Sequence, residues 1–203
     1  MRDAAPGCEI LDALHERAFR DCIPLQVSLE LTQRCNIRCT HCYNFDRGGA
    51  RPPAGPELSF DEIRALLDDL RAAGTLFVAL TGGEAMMHPR FWDILDETAA
   101  RHFAVYLLSN GTLLTEEACT RLSGYPNLWD VSLSLYGARA ETHDAVTRVP
   151  GSFRRTVDGA RRLQARGITV ALKFVVMKGN AAEAADMLAL AERMGLTCTF
   201  DAP

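Results

Sequence analysis

The sequence predicts an α/β protein folded as a partial (β/α)6 TIM-like barrel, with parallel strands and its sixth helix missing. Three observations lead there. Six strand-like runs alternate with five helical stretches along most of the chain. Two of those strands alternate apolar and polar residues strictly, so each has one apolar and one polar face. The turns rich in Cys, Gly and Asn follow strand ends, which is where such folds carry their chemistry. An open doubly wound sheet competes, but its strands, buried on both faces, read as continuous apolar runs. A barrel instead turns the polar face into its interior. Eight units take about 250 residues, so a chain of 203 makes only part of a barrel.

Residues 1–8 contain Pro6 and Gly7 and are expected to be loose. Ile10, Leu11, Leu14 and Phe19 then recur at helical spacing, and Pro24 ends that helix. In the first strand, 25–31, Leu25, Val27, Leu29 and Leu31 oppose Gln26, Ser28 and Glu30. Residues 46–56 are rich in Gly and Pro and read as loop. Ser59 and Glu62 form a capping box ahead of the stripe Ile63, Leu66, Leu67 and Leu70, which stops at Gly74. The second strand, 76–81, runs into Gly82-Gly83-Glu84. Phe91, Ile94 and Leu95 mark a helix, and the third strand, 103–109, leads into Asn110-Gly111-Thr112. Glu116 and Glu117 suit the start of another helix. In the fourth strand Val131, Leu133 and Leu135 oppose Ser132, Ser134 and Tyr136. Ser152 is placed to cap a helix carrying Phe153, Val157, Ala160 and Leu163, closed by Gly167. A fifth strand, 169–177, a helix capped by Asn180 with Glu183 and ended by Gly195, and a sixth strand, 197–200, complete the pattern. Residues 1–22 are read as a leader and 23–203 as the core domain, expected to be truncated at its C-terminal end.

The composition, 48% hydrophobic and 24% charged, is ordinary for a soluble domain. The net charge of −4 offers no electrostatic footprint for nucleic acid. No membrane-length apolar run and no signal peptide is visible, so a cytoplasmic setting is expected. Seven cysteines are present, three of them in one short loop; Cys8, Cys22, Cys119 and Cys198 are scattered and read as reduced thiols.

That loop is Cys35-Asn-Ile-Arg-Cys39-Thr-His41-Cys42. A closed structural site takes four ligands, whereas three thiolates on a four-iron cluster leave one iron open. Two other readings stand beside this one: a zinc site with His41 as fourth ligand, and unligated thiols.

Cys35-x-x-x-Cys39-x-x-Cys42 after the first strand, Thr81-Gly82-Gly83-Glu84 after the second, and Ser134 in the fourth together resemble the radical S-adenosylmethionine (SAM) enzymes. The resemblance covers nearly the whole chain. It implies a [4Fe–4S] cluster on Cys35, Cys39 and Cys42, with SAM on the open iron and an external electron donor. His41 then lies against the adenine, Gly82 and Gly83 let backbone approach the methionine end, Glu84 meets its ammonium, and Ser134 binds the ribose. Asn110 is a further cofactor-side candidate, with an ordinary Asn-Gly turn as its alternative. Arg148 resembles an arginine at the SAM carboxylate, and is equally readable as a surface residue. Two departures stand out: Ala85 where proline is frequent, and Tyr136 where an acidic residue is common. Lys173 interrupts an apolar strand, so it pairs either with an anionic ligand or with Glu30 or Asp130. Leu29-Glu30-Leu31-Thr32-x-Arg34-Cys35-Asn36, His41-Cys42-Tyr43 and Ser134-Leu135-Tyr136-Gly137 look most like the peptide-modifying branch, which usually adds a C-terminal SPASM extension absent from this sequence. A peptide or protein substrate is the expectation. A small molecule of cofactor biosynthesis and an inert iron–sulfur protein are the alternatives.

Overall fold

Strict alternation in the strands sorts the side chains onto two faces, and the fold follows from burying only one of them. The computed structural model describes residues 6–42 and 56–201, and the side chains from residue 10 onward within those ranges. The loop expected at 46–56 lies outside them, apart from Pro56. Six strands form one sheet: β1 (Gln26–Thr32), β2 (Phe77–Gly82), β3 (Ala104–Ser109), β4 (Leu128–Leu135), β5 (Val170–Val175) and β6 (Thr197–Asp201). Every neighbouring pair is parallel and the spatial order is the sequence order. A doubly wound sheet reverses its strand order at a switch point. This one never reverses, so it winds as a barrel segment.

The helices are α1 (Pro6–Arg20), α2 (Phe60–Ala73), α3 (Phe91–Ala100), α4 (Glu116–Leu122), α5 (Ala140–Thr147), α6 (Ser152–Gln164) and α7 (Ala184–Met194). On the convex side of the sheet Leu29, Leu80, Leu107, Val131, Leu133, Leu172 and Phe174 are buried in a single apolar cluster with Ile63 and Leu67 of α2, Ile94 of α3, Leu163 of α6 and Met187 of α7. The opposite, concave side presents Ser28, Glu30, Ser134 and Lys173 to a cavity. The capping box of α2 forms as the sequence predicts, with Gly74 in the left-handed conformation after its last turn.

Four local details differ from the sequence reading. α1 begins at Pro6, a residue tolerated in a first helical turn. It packs through Ala18, while Ile10, Leu11 and Phe19 of its apolar stripe stay exposed. α5 is not anticipated at all, because its buried residues are His143 and Thr147 and no apolar period marks it. α6 is capped from outside. Ser152 is its first residue, and the Asp144 carboxylate of α5 accepts from Gly151 N (2.5 Å), Ser152 Oγ (2.8 Å) and Phe153 N (2.8 Å). Asn180 and Glu183 form no capping box ahead of α7. Asn180 Nδ2 instead donates to the carbonyls of Tyr136 and Val175, both at 2.9 Å, and Glu183 accepts from Ala138 N at 2.8 Å.

Candidate cluster and cofactor site

The loop after β1 brings Cys35, Cys39 and Cys42 to the C-terminal rim of the sheet, where all three are free, half-buried thiols. With His41, Gly82, Gly83, Asn110, Ser134, Tyr136 and Lys173 they line one cavity of about 380 Å³. Of the residues singled out from sequence, Glu84 and Arg148 are not among its lining.

The turn after β2 holds one side of the loop. Gly83 N donates to Thr32 O at 2.7 Å and Glu84 N to Arg34 O at 2.8 Å. A Cβ at Gly82 would lie 2.3 Å from Thr32 O, and one at Gly83 would lie 2.4 Å from Arg34 O. Gly82 also has φ +134°, a conformation that favours glycine. The space these glycines leave is therefore filled by the stem of the cysteine loop. Glu57 reinforces that stem, its Oε1 accepting from Thr32 Oγ1 at 2.5 Å and Gln33 N at 3.2 Å. The Thr32 hydroxyl holds the Glu57 carboxyl below its ordinary value.

The end of α5 holds the other side. Arg38 N donates to Thr147 O (3.0 Å) and Thr40 N to Val146 O (2.9 Å), using carbonyls that a helix end leaves free. Arg148 closes α5 in the left-handed conformation, with φ 58° and an exposed side chain. Behind this end the Tyr136 ring stacks on His143 at 5.5 Å, and His143 Nδ1 accepts from Tyr136 N at 3.2 Å. Burial pulls His143 down to about 4, so it is neutral at pH 7.

Glu84 is 1% exposed and acts as a tie between strands. Its carboxylate accepts from Ser109 Oγ (3.0 and 3.1 Å), Asn110 N (2.8 Å) and Met86 N (3.3 Å). Burial pushes its carboxyl up, and these donors pull the other way. Asn110 donates from Nδ2 to Asn36 Oδ1 (2.9 Å) and Cys35 Sγ (3.8 Å). Burial pushes the Tyr136 hydroxyl well above its ordinary value, with Cys39 adding to the rise and Ser134 opposing it. Burial pushes the Cys39 thiol up to about 12, with the Tyr136 hydroxyl acting against it. Burial also raises Cys35, and the Asn110 amide opposes that shift. His41 meets the Tyr136 ring edge-on at 4.8 Å. Its Nδ1 is buried without a hydrogen-bond partner, and burial lowers its pKa. Across the cavity Lys173 Nζ pairs with Asp201 Oδ2 of β6 at 2.7 Å, a partner the sequence did not point to, and Asp130 accepts from Ser132 Oγ at 2.8 Å.

Sequence reasoning missed Glu57, Asn36, Thr112, Ser109 and the carbonyls of Val146 and Thr147. Only Thr112 left a signal, since Asn-x-Thr after a strand suits an Asx turn; Thr112 N donates to Asn110 Oδ1 at 2.9 Å.

A barrel segment with three free thiols on its C-terminal rim, facing polar strand ends across a shared cavity, is the core of a metallocofactor protein. The family model of the Radical SAM superfamily matches residues 29–191, and the chain belongs to that superfamily. Mycofactocin maturase MftC of Mycobacterium tuberculosis is 35% identical over 175 residues, 86% of this chain and 43% of that protein. AdoMet-dependent heme synthase of Methanosarcina barkeri is 33% identical over 172 residues, 85% of this chain and 48% of that protein. The crystal structure of Streptococcus suis SuiB bound to precursor peptide SuiA shares the fold, with a TM-score of 0.74 at 15% identity over 98% of this chain and 45% of that one. The chain thus spans less than half the length of the curated relatives it matches.

The superfamily uses a [4Fe–4S] cluster and SAM, and the residues here fit both. Three thiols line one cavity, and the Asn110 amide donates to Cys35 Sγ. Among the described residues no three His, Cys, Asp or Glu side chains converge on a position for one metal ion. The orphaned His41 Nδ1 and the Ser134 hydroxyl supply polar groups for a small ligand beside the thiols.

Proposed function

We propose that this chain is the core of a radical SAM enzyme that modifies a peptide or protein side chain in a reducing cytoplasm, with an external one-electron donor. Residues 23–203 form that core behind a leader at 1–22. The observation that carries the reading is the convergence of Cys35, Cys39 and Cys42 on one cavity with Gly82, Gly83 and Ser134.

When bound, the cluster and SAM together supply one-electron cleavage of a sulfonium bond and hydrogen-atom abstraction from a substrate C–H. Cys35, Cys39 and Cys42 would hold the cluster. His41, whose Nδ1 lacks a partner and whose pKa burial lowers, would lie against the adenine. Ser134 offers its hydroxyl to the ribose. Ile37, Leu108 and Val175 give the same cavity an apolar part to its wall. Glu84 and Asn110 act through their neighbours, and Arg148 through the end of α5. No helix among the described residues is long and apolar enough to cross a membrane.

The peptide reading draws on the motifs flanking Cys35, His41 and Ser134 and on the likeness to a maturase. A small-molecule substrate is the second reading, favoured by the likeness to a heme synthase and by a cationic Lys173 in the cavity. Anaerobic reconstitution tests the first claim. We expect about four irons per chain and, on reduction with dithionite, release of 5′-deoxyadenosine; Cys35→Ala, Cys39→Ala or Cys42→Ala abolishes both. Stoichiometric zinc with no cluster overturns it. Mass change in a precursor peptide encoded beside the protein, against none in a tetrapyrrole, decides the substrate class.

A further inference from the structure

Asn110 sits in the turn after β3 with 7% of its surface exposed, and each of its hydrogen-bonding groups has a partner. Its backbone N–H donates to Glu84 Oε2 at 2.8 Å, and its carbonyl accepts from Thr156 Oγ1 of α6 at 2.7 Å. Side-chain Oδ1 accepts from Thr112 N at 2.9 Å and from Thr112 Oγ1 at 2.5 Å. A backbone N–H can only donate, so the amide oxygen must face Thr112 and the flip of the side chain is fixed. Nδ2 then has two hydrogens and two acceptors, Asn36 Oδ1 at 2.9 Å and Cys35 Sγ at 3.8 Å. No side-chain donor or acceptor is left over for a cofactor in the cavity.

We infer that Asn110 is a positioning residue that raises the reduction potential of the cluster through its hydrogen bond to the Cys35 sulfur, and not a contact to SAM. The inference rests on the cluster reading above. Reduction adds one electron from an external low-potential donor, [4Fe–4S]²⁺ + e⁻ → [4Fe–4S]⁺, with no proton transferred. The added negative charge is shared with the thiolates, and an N–H aimed at one of them stabilises the more negative state. Thr112 acts at one remove, by orienting the amide.

The test is a potentiometric titration of the reconstituted full chain under anaerobic conditions, read by the electron paramagnetic resonance of the reduced cluster. SAM affinity is measured beside it by equilibrium binding. Asn110→Leu keeps the side chain's shape and removes the donor. The equilibrium constant for reduction is expected to fall about tenfold, ~59 mV for a one-electron couple, with SAM affinity changed less than about twofold. Thr112→Val, which leaves Asn110 in place, shifts the potential in the same direction by less. A loaded cluster with unchanged potential in Asn110→Leu overturns the inference, and so does unchanged potential with lost SAM affinity. If Asn110→Leu fails to load, Thr112→Val decides: a lowered potential supports the inference and no shift overturns it. No cluster in the unaltered chain overturns the cluster reading as well.

Discussion

The cysteine loop is held along two sides, and the two sides work by different physics. Along the stem, the turn after β2 presses backbone against backbone with no side chain between, and the clearance at Gly83 would leave a Cβ 2.4 Å from Arg34 O. Behind the loop, α5 offers the carbonyls of Val146 and Thr147, held 2.9–3.0 Å from the loop's amides. The stem is steric and tolerates only glycine. The α5 side uses groups every residue possesses, so it depends on where the helix ends and not on which residues end it.

Substitutions separate the two sides. Gly83→Ala forces backbone apart, since the atom it meets cannot swing away. The expected loss is ~4 kcal/mol, at the upper end of single-substitution effects, with iron content falling in step; urea denaturation and iron assay measure both. On the α5 side, acid is the probe. Burial holds His143 at about 4 while the unfolded chain takes up a proton near the ordinary value of 6.5. The contribution is complete above about pH 6.5 and is lost as pH falls toward 4, by about 3 kcal/mol in all. Denaturation at pH 7 and pH 4.5 reads this loss; His143→Asn, which keeps an acceptor for Tyr136 N and does not titrate, is expected to flatten it. Asp144→Ala removes the carboxylate that caps α6 from α5, with an expected cost of about 1–2 kcal/mol in thermal unfolding; Asp144→Asn costs less. Lys173→Met touches neither side. Its exposed pair with Asp201 predicts a change of no more than about 1 kcal/mol, so a large loss there would mean the cavity wall matters as much as the loop's supports.

The same contrast explains what the sequence reveals. Period-two alternation in β1 and β4 announces a concave polar face, and the strands bear it out because the rule depends only on chain geometry. Gly82-Gly83 is visible because an exclusion of side chains leaves a mark in the residue types. α5 is invisible because what it supplies, carbonyls at a helix end, leaves none, and because its inward residues are His143 and Thr147. Asn180 and Glu183 have the spacing of a local cap, yet both side chains are claimed by partners more than forty residues earlier in the chain, at Tyr136 and Ala138. Glu84 and Asn110 are legible as positions on the rim. Their partners are not, since a buried carboxylate or amide bonds to whatever the fold brings near it.

The span between the loop and α5 bears on the order in which the protein assembles. Arg38 and Thr40 find their acceptors about a hundred residues downstream, at Thr147 and Val146. The cysteine loop therefore takes its final shape only after β1 to β4 have paired and α5 has docked. A zinc finger closes on its metal from a few neighbouring residues and folds with it. On the proposed reading the pocket would be built before a cluster arrives, so cluster delivery would be a late step onto a barrel wall already formed, with three half-buried thiols left unprotected for that interval.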